Sequence, residues 1–159
     1  MIIAILGDKT TPAYIAAHEL VVTLGHTVDD GSYFLKHLAI APLLTTKLDN
    51  EELSDPVHGT LIFHPSPLPW GRGAAAIKNA YKHNDPITAA TWFWANAKLD
   101  GGDICEQEII SIDFTLRPRD FYIQDVIPAM LRTLSRALVG IDRGYVRRIP
   151  QIEKYSSYD

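Results

Sequence analysis

Apolar positions along the chain change period several times, and each change marks an element. Met1 to Leu6 (Met-Ile-Ile-Ala-Ile-Leu) is a continuous apolar run, the pattern of a strand buried on both faces. Gly7 to Thr11 is polar, and Pro12 then stands at a first helical position with Thr11 as N-cap. Tyr14, Ala17, Val21 and Leu24 predict the inward stripe of a helix that stops at Gly25. A strand, a polar loop and a helix N-terminus can form an anion site. This loop lacks a complete glycine fingerprint, so it reads first as a plain connection. Thr27-Val28 begins a short strand, and Tyr33 to Ile40 fits either a strand or a buried helical turn. Pro42 to Leu48 leads into an acidic helix start at Asp49-Asn50-Glu51-Glu52, closed by Asp55-Pro56.

The next run, Thr60-Leu-Ile-Phe63, is β-branched, aliphatic and aromatic, and predicts a strand. It ends at His64, because Pro65 lacks a backbone donor and restricts the residue before it. Pro67 and Pro69 stiffen the following turn, and Gly71 and Gly73 permit close backbone approaches. A histidine is thereby held at the C-terminal end of an apolar strand, the edge where open α/β sheets bind ligands. Taken alone, such a histidine is more simply explained as one satisfied by backbone groups.

Ala74 to Lys82 reads as a helix with Ile77 and Tyr81 on one face and Ala74 a turn earlier. His83-Asn-Asp-Pro86 ends it. Ile87 to Ala95 and Ile104 to Ile112 are strand-like and flank the turn Leu99-Asp-Gly-Gly-Asp103, which predicts a hairpin and hence a mixed sheet. Within the first of these strands, Trp92 and Trp94 share a face, for which packing against a helix is the default explanation. After Pro118, Ile123, Val126, Ile127, Met130, Leu131, Leu134, Leu138 and Ile141 recur at helical spacing. They predict a long amphipathic helix with a bend at Pro128.

Composition narrows the classes. A length of 159 residues fits one domain, and a net charge of −4 does not suit a general nucleic-acid binder. The arginines of the last third have the spacing of a solvated helix face. Cys105 is the only cysteine, so an internal disulfide is excluded and a reducing compartment is the default. In an apolar strand its thiol reads as buried and inert. No apolar run reaches the length of a membrane span, and a cytoplasmic protein is expected. The six histidines show no paired ligand spacing, which gives no reason to expect a metal.

One segment changes the picture. His64-Pro-Ser-x-Leu-Pro-x-x-Arg72-Gly73 resembles the motif of the folate-dependent formyltransferases. That family carries a catalytic aspartate 36 residues after its motif histidine, in a Leu-Asp-x-Gly turn, and Asp100 lies 36 residues after His64. Ile104-Cys-Glu-Gln107 and the closing Arg148-Ile-Pro-Gln151-x-Glu153 with Ser157-Tyr158 are also similar. The likeness covers residues 42 to 159 and is greatest to the hydrolase domain of 10-formyltetrahydrofolate dehydrogenase. It implies a three-layer, Rossmann-like α/β domain over residues 1–159. The 63 residues before His64 are fewer than the family has there, which implies a shortened N-terminal half. The family's usual asparagine two residues before the histidine is replaced by Ile62, as in that hydrolase domain.

By this resemblance the formyl donor is 10-formyltetrahydrofolate. His64 would stabilise the developing oxyanion and move a proton, and Asp100 would orient the imidazole and act as general base. The pterin would rest on backbone groups around Thr45, Thr46, Lys47 and Leu48 and around Ala97, Lys98, Leu99 and Gly101. Arg72 would shape its turn rather than touch substrate. The acceptor would be a small-molecule amine. Hydrolysis with water as acceptor, and a folate-binding or partner-binding relative without turnover, are the alternative readings. The oligomeric state is not legible.

Overall fold

The structure is a computed structural model and describes residues 1–158. Its sheet has six strands in the order β2-β1-β3-β4-β5-β6. They are β1 (Ile2–Ile5), β2 (Thr27–Val28), β3 (Leu38–Ala41), β4 (Thr60–His64), β5 (Ile87–Trp94) and β6 (Ile104–Ser111). The first four run parallel, and β5 and β6 join antiparallel, so the sheet is mixed as expected. The long apolar hairpin of β5 and β6 forms that antiparallel edge.

Helix α1 (Pro12–Thr23) begins where Pro12 and Thr11 place it, with Thr11 Oγ1 accepting from the Tyr14 amide at 3.3 Å. Helix α2 (Asn50–Ser54) has only five residues and is fixed by a capping box between Asp49 and Glu52. No helix bridges β2 and β3, and the short α2 is the only one between β3 and β4. The N-terminal half is economical in this sense, with one full crossover helix for four parallel strands. Within the connection of residues 29–37, Tyr33, Phe34 and Leu35 are exposed, so the strand is confined to Leu38–Ala41.

Helix α3 (Ala76–Lys82) starts two residues later than its pattern implies, and Ala74 is exposed rather than part of its inner face. The Gly73 turn uses those residues. The C-terminal helix is interrupted. A short α4 (Pro118–Phe121) runs into a π-helical turn, Tyr122–Val126, before α5 (Ile127–Asp142). Pro128 has no amide to donate to the preceding turn, and the Ile127 amide bonds Tyr122 O instead. The wider turn shifts the helical phase by one residue. Phe121 therefore enters the core while Ile123 is left 44% exposed.

Strand registers divide the side chains between two faces. Ile3, Leu38, Ile40, Leu61, Phe63, Trp92 and Trp94 lie on the face covered by α1 and α5 and form the main core. Both tryptophans donate to the layer above, Trp92 to Met130 O at 3.2 Å and Trp94 to Arg147 O at 2.7 Å. Truncating such a buried aromatic to alanine typically costs about 3–5 kcal/mol. The opposite face carries Ala4, Ala39, Ala41, Thr60, Ile62, His64, Thr91 and Phe93. Helix α2 reaches it through Thr60 Oγ1, which donates to Glu52 O at 3.1 Å. Arginines of α5 and of the segment after it pair with β6 rather than standing alone in solvent: Arg132 and Arg136 meet Glu108, and Arg136 and Arg147 meet Glu106. Among the described residues, no helix is long and apolar enough to cross a membrane.

Candidate active site

Alternation along β4 puts His64 on the second face, next to Thr91 of β5 in register and two residues beyond Ile62. The residue is 7% exposed. Its Nε2 lies 2.7 Å from Gly71 O. A carbonyl oxygen can only accept, so Nε2 carries the proton. In the neutral ring Nδ1 is then a bare lone pair, and it faces Asp100 Oδ2 at 3.7 Å. That separation is too long for a direct hydrogen bond.

Asp100 comes from the β5–β6 loop, which folds back over the same face. The Trp94 amide donates to Asp103 O at 2.8 Å. A Cβ on Gly102 would stand 1.6 Å from Trp94 O, so only glycine fits there. Asp100 itself has φ 49°, a left-handed conformation that aspartate tolerates better than most residues. Its Oδ2 accepts from the Gly73 amide at 2.9 Å. Gly71 and Gly73 thus hold the two members of the pair, one by its carbonyl and the other by its amide.

Arg72, between those glycines, is completely buried. A buried guanidinium needs partners for its fixed fork of donors, and the C-terminal segment supplies them. Nε and Nη2 donate to Gln151 Oε1 at 3.3 and 2.9 Å, Nη1 and Nη2 to the Glu153 carboxylate at 3.0 Å each, and Nη1 to the Tyr158 hydroxyl at 2.8 Å. Backbone contacts run beside them, with the Arg72 amide on Ser157 O at 2.9 Å and the Gly71 amide on Ser157 Oγ at 2.7 Å. Hydrogen bonds from Arg72 and Lys98 hold the Glu153 carboxyl down at about 2. Gln151 Nε2 in turn donates to Asp100 O at 2.8 Å and Gly102 O at 2.7 Å.

The structure brings together His64 and Asp100 of the expected residues. Thr45, Thr46 and Lys47 are exposed on the loop that leaves β3 beside β4, while the Leu48 side chain is buried, leaving only its backbone for a ligand. Ala97 and Leu99 are exposed, Lys98 turns to Glu153 at 2.9 Å, and Gly101 donates to Lys98 O at 3.3 Å. Arg72 does shape its turn. Gln151 and Glu153, whose run the sequence matched without a role, are what hold it. A cleft of about 510 Å³ between β6 and the end of α5, lined by Cys105, Glu106, Arg136 and Tyr145, lies on the other face and away from the pair. Burial pushes the Cys105 thiol there up to about 12.

Comparison with known proteins bears on the family and the fold. The formyl transferase family model matches residues 38–124. Human (Homo sapiens) cytosolic 10-formyltetrahydrofolate dehydrogenase is 31% identical over 122 residues, 77% of this chain and 14% of that protein. The chain thus spans a small part of the curated relatives it matches. HypX from Aquifex aeolicus, solved in complex with tetrahydrofolic acid, superposes with a TM-score of 0.82 at 22% identity, over 99% of this chain and 29% of that one. The formyltransferase PseJ from Anoxybacillus kamchatkensis, solved with a UDP-linked formamido sugar and tetrahydrofolate, gives 0.74 at 20% identity, over 100% and 85%. At such identities the two structures speak for the fold. The family match covers more than half of the sequence, including the strand that carries His64 and the loop that carries Asp100, and this chain belongs to the formyl transferase family.

Proposed function

We propose that this domain, residues 1–159, transfers the formyl group of 10-formyltetrahydrofolate to a small-molecule amine, with His64 and Asp100 as the reacting pair. The observation that carries this reading is the buried imidazole facing a carboxylate across 3.7 Å, with every other contact of the two groups made by backbone. The loops around the pair suit a folate. The Thr45, Thr46 and Lys47 amides have no acceptor among the described residues, and Leu43, Trp70 and Leu99 offer exposed apolar surface.

The folate supplies the formyl group. His64 keeps one proton on Nε2 for Gly71, so donation to the formyl oxygen requires a second proton, on Nδ1. Asp100 Oδ2, 3.7 Å from Nδ1, is the carboxylate placed to hand that proton over. As the amine nitrogen attacks the formyl carbon, Asp100 takes its proton. The Nδ1 proton faces the oxygen where charge develops and then passes to the departing N10 as the old bond breaks. Proton return from Asp100 to His64 restores the pair. Positioned acid–base groups of this kind contribute about 10²–10⁴-fold.

Hydrolysis, with water in place of the amine, is the second reading. Ile62 favours it, because the residue on the same face as His64 offers no polar atom to the oxyanion, and water makes fewer demands on a weakened site. The arginine–glutamate pairing on α5 and β6 does not suit a nucleic-acid acceptor.

Incubation with 10-formyltetrahydrofolate, with and without candidate amines, tests the proposal by formate release and formyl transfer. Tetrahydrofolate at a hundred times its Kd should also raise stability by about 2.7 kcal/mol. No turnover together with an unchanged unfolding temperature in saturating folate would overturn it.

A further inference from the structure

We propose that Gln151 is a positioning residue for the reaction, setting the backbone of Asp100 from the C-terminal segment. This rests on the reading of His64 and Asp100 as the reacting pair. Asp100 is held at φ 49°, a conformation that persists only where its surroundings over-determine it. Two contacts do so. The Gly73 amide binds its carboxylate at 2.9 Å, and Gln151 binds its carbonyl at 2.8 Å.

The carboxamide of Gln151 is used completely. Its oxygen accepts twice from Arg72, and its nitrogen donates to the carbonyls of Asp100 and Gly102. Arginine only donates and carbonyls only accept, so the amide has one orientation and cannot flip. A side chain in this place must present an acceptor to one side and two donors to the other. Glutamine does so. Glutamate, with the same length, would set a carboxylate oxygen against two carbonyl oxygens.

The linkage is also continuous with the other half of the pair. Gly71, Arg72 and Gly73 contact His64, Gln151 and Asp100 respectively, by carbonyl, guanidinium and amide. Gln151 closes this into a ring of contacts. The distance of Asp100 from His64 Nδ1 is therefore set by a residue that touches neither substrate nor the reacting atoms.

The test compares Gln151→Glu and Gln151→Ala with wild type and His64→Ala, using the full chain and 10-formyltetrahydrofolate. Misplacing a reacting group by about 1 Å costs on the order of 10² in rate. Gln151→Glu should lower kcat about that far with KM unchanged. Amide exchange supplies a readout that does not need turnover. The Gly73 amide should lose protection in both variants, while the Trp94 indole N–H, bonded to Arg147 O, keeps it. Wild-type kcat in Gln151→Glu beside a dead His64→Ala overturns the positioning role and leaves the proposed function standing. If the wild type has no turnover and its unfolding temperature is unchanged in saturating folate, the function falls, and unchanged Gly73 protection in the variants overturns the positioning role by itself. If Gln151→Glu does not fold, Gln151→Ala is read in the same way.

Discussion

Gly71 accepts the Nε2 proton of His64 at 2.7 Å, which leaves Nδ1 as the one ring nitrogen that can exchange a proton with anything else. Asp100 faces that nitrogen. On the proposed mechanism the two groups work as one proton path. His64→Ala and Asp100→Asn should each remove most turnover, and the double variant should be little worse than either single one. Both should unfold close to the wild-type temperature. Near-wild-type rates in one single variant would take that residue out of the mechanism.

Ile62 shares the face of His64 and is half-buried there. An asparagine side chain is similar in size and could donate to the formyl oxygen. Loss of one oxyanion donor typically costs about 10²–10³-fold, so its gain in Ile62→Asn should raise kcat for transfer or hydrolysis. Stopped-flow or steady-state rates decide this. A folded variant no faster than wild type would mean that position 62 does not reach the oxyanion.

Glu153 gives the C-terminal segment a distinct acid response. Its carboxyl is held at about 2 by Arg72 first and Lys98 second, below the ordinary value of 4.5. A group depressed on folding contributes stability that is fully present above its unfolded value and is lost as pH falls through the folded one. Attachment of the segment should therefore weaken progressively from about pH 4.5 to about pH 2. Tyr158 fluorescence or proteolysis of the segment would follow it, and Glu153→Gln should flatten the profile over that interval.

Much of this arrangement is legible in the chain because it is local. The Pro12 and Thr11 start of α1, the Asp49–Glu52 capping box, the stop at His64-Pro65 and the paired β5–β6 strands each depend on neighbours within a few residues. The phase shift at Tyr122–Val126 is less so, since a proline kink and a π turn share one sequence signal but bury different residues. The Arg72 network is not legible from spacing at all. Its partners lie 79 to 86 residues away, and nothing near Arg72 specifies them. The sequence resemblance singled out the Gln151 and Glu153 run. Only the fold shows that it completes the coordination of a buried charge.

The two faces of the sheet differ in what it would cost to uncover them. One is packed with leucine, isoleucine and tryptophan beneath α1 and α5, and the other presents Ala4, Ala39, Ala41, Ala89, Thr60 and Thr91, with Ile62 and Phe93 among them, beneath loops and the short α2. Exposing apolar surface costs about 25 cal/mol per Å², so the loop-covered face has far less to lose. On this term alone, segments should lift from it more readily than helices lift from the other face. A histidine that is 7% exposed would then be reached by partial opening on one side of the sheet, and hydrogen exchange of the loops over it would show that opening. On the proposed function, this asymmetry would let a substrate in on one face without exposing the core on the other.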